Sequence, residues 1–354
     1  MFIVVAIIAF VVLIISHEFG HFIAAKLCGV KVLEFSVGMG PKLLKKQGKE
    51  TLYTLRLLPI GGFCAMEGED EDTGDPRAFT QQPAWKRIII LCAGAAMNFL
   101  IGLILICLLF SSVPRYGTNT VDSFMDGCPY VGENMLQPGD TIYSVNGERC
   151  YISTDVTTFI SRAGGRDIEV VVKRGGEKVT LHFDELIPTL ELTDENGNTS
   201  LKYGFNFRVQ ERSFGSQLKY SWYQAMDFVR MVRLSLVDLF SGAVGVKDLS
   251  GVVGIVSIIN DVGQSSPSVT AALENIAYLV AFIAINLAVM NLLPIPALDG
   301  GRILFLILTW CIERIIRRKL DPKYEGYIHA AGLVLLIGLM LFVMYNDIVR
   351  IITG

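Results

Sequence analysis

The chain has 354 residues, 52% of them hydrophobic and 18% charged, with a net charge of −3 and a mean hydropathy of +0.48. Soluble domains carry about 25% charged residues, so this deficit excludes an ordinary soluble protein. A near-neutral chain with no basic, aromatic-interleaved stripe gives no footprint for nucleic acid.

Four apolar runs reach the roughly 20 residues that a bilayer crossing needs: within 1–29, 87–111, 272–309 and 328–352. The first has no basic n-region and is too long for a signal-peptide core, so it reads as a retained span. It carries the sequence HEFGH. On a helix, His17 and His21 stand one turn apart on the same face, where both imidazoles can reach one metal ion. Glu18 projects about 100° round from His17, within reach of a metal-bound water without being a ligand. Ionisable groups inside a span cost several kcal/mol unless partnered, which makes the trio a functional hypothesis.

Residues 30–66 alternate apolar and polar side chains in VLEFSVG and TLYTLRL, with glycines and prolines between, and predict strands. We expect β-hairpins dipping into the membrane beside the first span, with a cytosolic hairpin pair as the alternative. The strand around 50–58, with Thr51, Tyr53 and Leu55, offers an edge on which an unwound substrate segment can add as a further strand. Residues 67–86 form an acidic, Gly/Pro-punctuated cytoplasmic loop.

The segment 113–187 reads as a small α/β module. It has a Pro138–Gly139–Asp140 turn, a strand TIYSV, an Asn146–Gly147 hairpin turn, a helix capped by Ser153 or Thr154, and two strands joined at Gly175–Gly176. Its LxxGDxIxxVNG pattern, filled by Leu136, Gly139, Asp140, Ile142, Val145, Asn146 and Gly147, resembles PDZ domains. That likeness implies capture of extended peptides by strand addition, or a spacer role. Cys128 and Cys150 lie in this region and are the one pair open to a disulfide. In 188–271, TDENGNTS predicts a hairpin tip. Residues 215–240 predict amphipathic helices, lying on the membrane surface or packed on the module.

The third run holds NLLPIPALDGGR. Pro294 and Pro296 lack amide protons, so a regular helix must break there and present Asp299 at membrane depth. Hydrolytic zinc takes three protein ligands and keeps one position for water. His182 and His329 are poorly placed, which leaves Asp299 as the third ligand or as a cap of the restarted helix. Lysines and arginines cluster between spans one and two and in 310–327. The charge rule therefore puts both segments in the cytoplasm, and both termini and the PDZ-like module outside. Helices one and three then bring His17, His21 and Asp299 to one level towards the cytoplasmic side.

HEFGH in the first span, the glycine-punctuated hairpins, the PDZ-like insert and Asn291 through LDGG together resemble the site-2 protease family, intramembrane zinc metalloproteases of the bacterial sigma-E-regulator type. AGAAMNF (93–99) and DLSGVVGI (248–255) fit the same layout. One departure is that better-known members carry two tandem PDZ domains, whereas this chain has room for one. The resemblance implies a polytopic α-helical membrane protein of the bacterial cytoplasmic membrane, with four transmembrane helices. His17, His21 and Asp299 would hold Zn2+, Glu18 would be the general base, and Asn291 would contact the substrate backbone or the developing oxyanion. The implied partners are single-span membrane proteins such as anti-sigma factors, signal-peptide remnants, and the lipid bilayer. Two other readings are a membrane-anchored protease with a cytosolic zinc site, and a non-catalytic scaffold capturing envelope proteins through the PDZ-like module.

Overall fold

The computed structural model describes residues 2–69, 73–193, 199–245, 249–316 and 323–353. In chain order the first elements are α1 (Phe2–Cys28), β1 (Val32–Gln47), β2 (Leu52–Met66) and α2 (Ala84–Phe110). Then come β3 (Arg115–Phe124), β4 (Thr141–Val145), β5 (Glu148–Arg149), α3 (Ser153–Arg162), β6 (Arg166–Arg174) and β7 (Glu177–Glu185). The chain continues through β8 (Leu190–Thr193), β9 (Thr199–Lys202), β10 (Phe205–Glu211) and α4 (Phe214–Ser241). It closes with α5 (Val252–Ser265), α6 (Val269–Asn291), α7 (Asp299–Ile316) and α8 (Lys323–Thr353). Two compact units result: Met1–Ile106 with Phe228–Gly354, and Cys107–Asp227.

Among the described residues four helices are long and apolar enough to cross a membrane: Phe2–Cys28, Ala84–Phe110, Val269–Asn291 and Gly326–Arg350. The third stops at Asn291, short of the expected 309. The two prolines end α6, and a new helix starts at Asp299. Small residues let these helices approach closely. A Cβ on Gly20 would strike the Ala93 carbonyl on α2, and one on Gly102 would meet Ile285 and the Ala281 carbonyl on α6. One buried cluster joins Ala24, Ala25, Val30, Val32, Cys64, Met66, Phe79, Ile90 and Leu91, welding the end of α1 to the sheet and to α2. A second joins Ala6 on α1 to Ile259 on α5 and Ile276 on α6. Buried Asp347 on α8 accepts hydrogen bonds from the amides of Gly251 and Gly254, each at 2.9 Å, capping the start of α5. Of DLSGVVGI, Asp248 falls outside the described residues.

β1 and β2 are long strands that each bend midway, so their halves pair more than once. Residues 34–37 pair with 62–65 in opposite directions, and with 52–55 with both numbers rising together. Residues 42–47 then pair with 52–56 on the far side. The order across the sheet is therefore 61–66, 32–37, 52–56, 42–47. The segment expected to offer an edge, 52–56, is interior and paired on both sides. Periodicity marks strands but does not say which strand ends up outermost.

In the second unit β10, β3, β4, β6 and β7 form one sheet in that order, with β5 paired to β4. The module thus recruits 205–211, beyond its expected boundary at 187. Ile142, Val145, Ile168, Val170, Val172, Leu181 and Phe183 fill its core, with Val156, Phe159 and Ile160 of α3. Asn146 (φ 46°) and Gly147 (φ 81°) make the predicted tight hairpin. The N-cap of α3 is Ile152 rather than Ser153 or Thr154, and the Asp155 carboxylate accepts from the amides of Tyr151 and Ile152 at 2.6 and 3.3 Å. Buried Asp140 accepts two 2.8 Å bonds from Arg174. No disulfide joins Cys128 and Cys150: their thiols lie against the carbonyls of Tyr203 (3.6 Å) and Glu148 (3.7 Å). The tip between β8 and β9 lies outside the described residues. Residues 214–241 form one helix.

Candidate metal centre

α1 is helical through its whole apolar length, so the i, i+4 spacing puts both imidazoles on one face. Ser16, one residue earlier, donates to buried Asn98 on α2 at 3.0 Å, which fixes the rotation of this turn. His21 Nδ1 donates to the Ile90 carbonyl at 2.8 Å, leaving the Nε2 lone pair to face inward. His17 Nδ1 lies 3.5 Å from the Asn291 side-chain amide. The atom of Asn291 nearest that ring nitrogen is Nδ2, so Asn291 is placed to contact His17 on the side away from the triangle.

Asp299 arrives from α7. Its Oδ2 lies 3.2 Å from His17 Nε2 and 3.3 Å from His21 Nε2, and the two Nε2 atoms are 3.2 Å apart. Three donors thus form a nearly equilateral triangle. Zinc with bonds of about 2.0–2.1 Å in a tetrahedron places neighbouring donors about 3.3 Å apart, so the triangle fits that ion. Asp299 Oδ2 is buried and accepts no well-aligned hydrogen bond, as expected of a metal-directed lone pair and not of a helix cap. Among the described residues this is the one cluster of His, Cys, Asp or Glu donors close enough to hold a metal.

A cavity of about 410 Å³ opens on the triangle. Glu18 lines it together with Phe63, Cys64, Ala65 and Met66, Asn291, and the Glu69–Arg302 ion pair. Glu18 stands over Gly62, where an added Cβ would lie 3.4 Å from its Cγ. Thr51, Tyr53 and Leu55 do not line the cavity. Thr51 is buried and donates to the Val32 carbonyl at 2.8 Å. The strand beside the site is 61–66.

Several contributors are invisible in a motif search. The Ile90 carbonyl orients His21. The backbone of Gly94 passes so close beneath the imidazoles that an added Cβ would strike His21 Nε2 and come within 2.7 Å of His17 Cε1. AGAAMNF does carry this signal: a small-residue run in an apolar span marks a close crossing. Arg302, three residues after Asp299, donates to Glu69, and both line the cavity.

A profile of peptidase family M50 matches residues 5–339. The chain belongs to peptidase family M50, the site-2 proteases. It is 35% identical over 353 residues to a Clostridium acetobutylicum protein named as a candidate zinc metalloprotease, covering 98% of this chain and 97% of that one. It is 28% identical over 432 residues to the regulator of sigma-W protease RasP of Bacillus subtilis, covering 98% and 97%. A third relative, the zinc metalloprotease RasP of Shouchella clausii, is 28% identical over 423 residues, with 97% of each chain covered. This M50 chain is accordingly a metallopeptidase, and its apolar helices mark it as a membrane protein.

Proposed function

We propose that the chain is a zinc-dependent endopeptidase that cuts single-span membrane proteins within the bilayer, with Glu18 as general base and His17, His21 and Asp299 as ligands. The observation that carries this reading is the donor triangle beside a carboxylate inside apolar helices. Zinc, when bound, supplies an acidified water, with a pKa near 7, and a Lewis-acid contact for the scissile carbonyl. Glu18, which lines the cavity beside the triangle, would serve as the general base and return the proton to the leaving nitrogen. The Ile90 carbonyl holds the His21 imidazole in the tautomer that leaves its Nε2 unprotonated, and Asn291 sits against Nδ1 of His17. A helical substrate shields its own peptide bonds, so it must unwind, and lipid cannot satisfy the exposed amides. The edge of 61–66, which lines the cavity, is the place for an extended segment to add as a strand and recover those hydrogen bonds.

The charge pattern at the span ends supports a cytoplasmic-membrane protein with both termini outside and water reaching the site from the cytoplasm. The second unit fits a PDZ-like module that captures a peptide end or screens substrates. Anti-sigma factors and signal-peptide remnants are the substrate classes this reading implies. The sigma-W relative's name supports the first of these.

Purified protein in detergent is tested on a model single-span substrate, with zinc counted for wild type, Glu18→Gln and Asp299→Ala. Glu18→Gln is expected to keep zinc and lose activity by about 10²–10⁴-fold, and Asp299→Ala to lose both. Equal activity in all three, or no zinc in the wild type, overturns the reading and leaves the scaffold alternative.

A further inference from the structure

The segment between α6 and α7 carries Asp299 to the histidines, and its backbone amides can be accounted for one by one. Leu292 and Leu293 donate back to Val289 and Met290, Ile295 to Leu293, and Leu298 to Ile295. Pro294 and Pro296 have no amide proton. That leaves Ala297, whose amide donates to Nδ1 of His329 on α8 at 3.0 Å. Since the backbone N–H can only donate, His329 accepts at Nδ1 and is neutral in this arrangement.

Ala297 also has a φ of 76°, in the left-handed region that disfavours side chains. Such a conformation persists where the surroundings enforce it. One turn along α8, Gly332 lies so close to Pro296 that an added Cβ would strike its ring and stand 3.0 Å from its carbonyl carbon. Phe305 on α7 meets the His329 ring edge to face, with centroids 5.2 Å apart, and holds the imidazole in place.

We infer that His329 is a positioning residue for the metal centre: its bond to the Ala297 amide, backed by Gly332 against Pro296, holds the left-handed turn that aims Asp299 at the histidines. This rests on the reading of Asp299 as a ligand. His329 touches neither substrate nor metal and acts through two residues of backbone.

The test uses the full-length chain. Zinc loss to a chelator, kcat and KM, and thermal unfolding are measured for His329→Ala, His329→Asn, Ala297→Gly, and Ala297→Gly combined with His329→Ala. Supporting groups of this kind are worth about 10- to 100-fold in metal affinity, so His329→Ala should lose zinc faster and lower kcat on that scale, with KM little changed. His329→Asn, whose amide oxygen can accept the same N–H, should recover most of the loss. Ala297→Gly, which removes the left-handed penalty, should partly rescue His329→Ala. Wild-type zinc retention and kcat in His329→Ala overturn the inference, as does a loss that neither His329→Asn nor Ala297→Gly relieves. If His329→Ala does not fold, Gly332→Ala decides: it leaves the imidazole in place, pushes on Pro296 and must show the same zinc loss, and normal retention overturns the inference. Asp299→Ala separates the two levels. Normal zinc in that variant sinks the ligand assignment itself, whereas zinc loss there with none in His329→Ala sinks only the positioning role.

Discussion

Glu50 ties the C-terminal end of α1 to the sheet and to the loop after it. It accepts from Lys26, which also donates to Thr51 Oγ1 at 2.8 Å, and from Arg77 Nη1 at 2.9 Å. Hydrogen bonds from Arg77 and then Lys26 pull its carboxyl down to about 2, below the ordinary carboxylate value of about 4.3. A depressed folded-state pKa stabilises the fold fully above the unfolded pKa, and the gain disappears as pH falls through the folded one. The difference in thermal unfolding between wild type and Glu50→Gln should therefore be constant from about pH 8 to 5, shrink below about 4 and close near 2. A difference that varies across the neutral range would assign the effect to another group. His17, Glu18 and His21 lie open to a sequence reader at this scale because the helix period alone sets their geometry. The Ile90 carbonyl and the Gly94 backbone do not, because no side chain announces them and only the packing of α2 on α1 brings them under the imidazoles.

Strand order decides which part of the hairpin region can meet a substrate. Pattern revealed the strands at 33–37 and 51–57, but their pairing is long-range, and the bends in β1 and β2 bury 52–56 between two neighbours. Proline in 52–56 would break the sheet whatever its role. The informative positions are the two outer strands. Proline at Phe63 or Cys64, beside the cavity, should cut cleavage by roughly tenfold or more with zinc retained, since it removes ladder amides where the substrate adds. Proline at Leu44, on the opposite edge, should leave cleavage within about twofold. Equal effects at both edges would remove strand addition at 61–66 from the mechanism. The break after α6 was legible for the opposite reason: two prolines and two glycines around one acid leave the chain few other local conformations.

For the molecule as a whole, the layout of four apolar helices and an inserted α/β unit was readable from hydropathy and turn chemistry, both of which are local. What escaped was how the last helix serves the site, since His329 looks like an ordinary residue at the start of a span until its partner 32 positions earlier is known. α8 exposes most of its apolar side chains, Leu333, Val334, Leu335 and Leu341 among them, and is fastened by polar contacts near both ends. His329 holds the Ala297 amide, and Asp347 caps α5. Eighteen residues separate these fastenings, about 27 Å of helix, close to the roughly 30 Å thickness of a bilayer's hydrocarbon core. A helix pinned at both ends cannot slide to relieve a mismatch with the surrounding lipid, so the bilayer's width becomes a load on the turn that carries Asp299. Cleavage in phosphatidylcholine vesicles with acyl chains from about 14 to about 22 carbons should peak at one length, and a flat profile would show the strut to be slack. In that sense the fourth span works as a gauge: the membrane in which the enzyme sits helps to set how well its ligands are aligned.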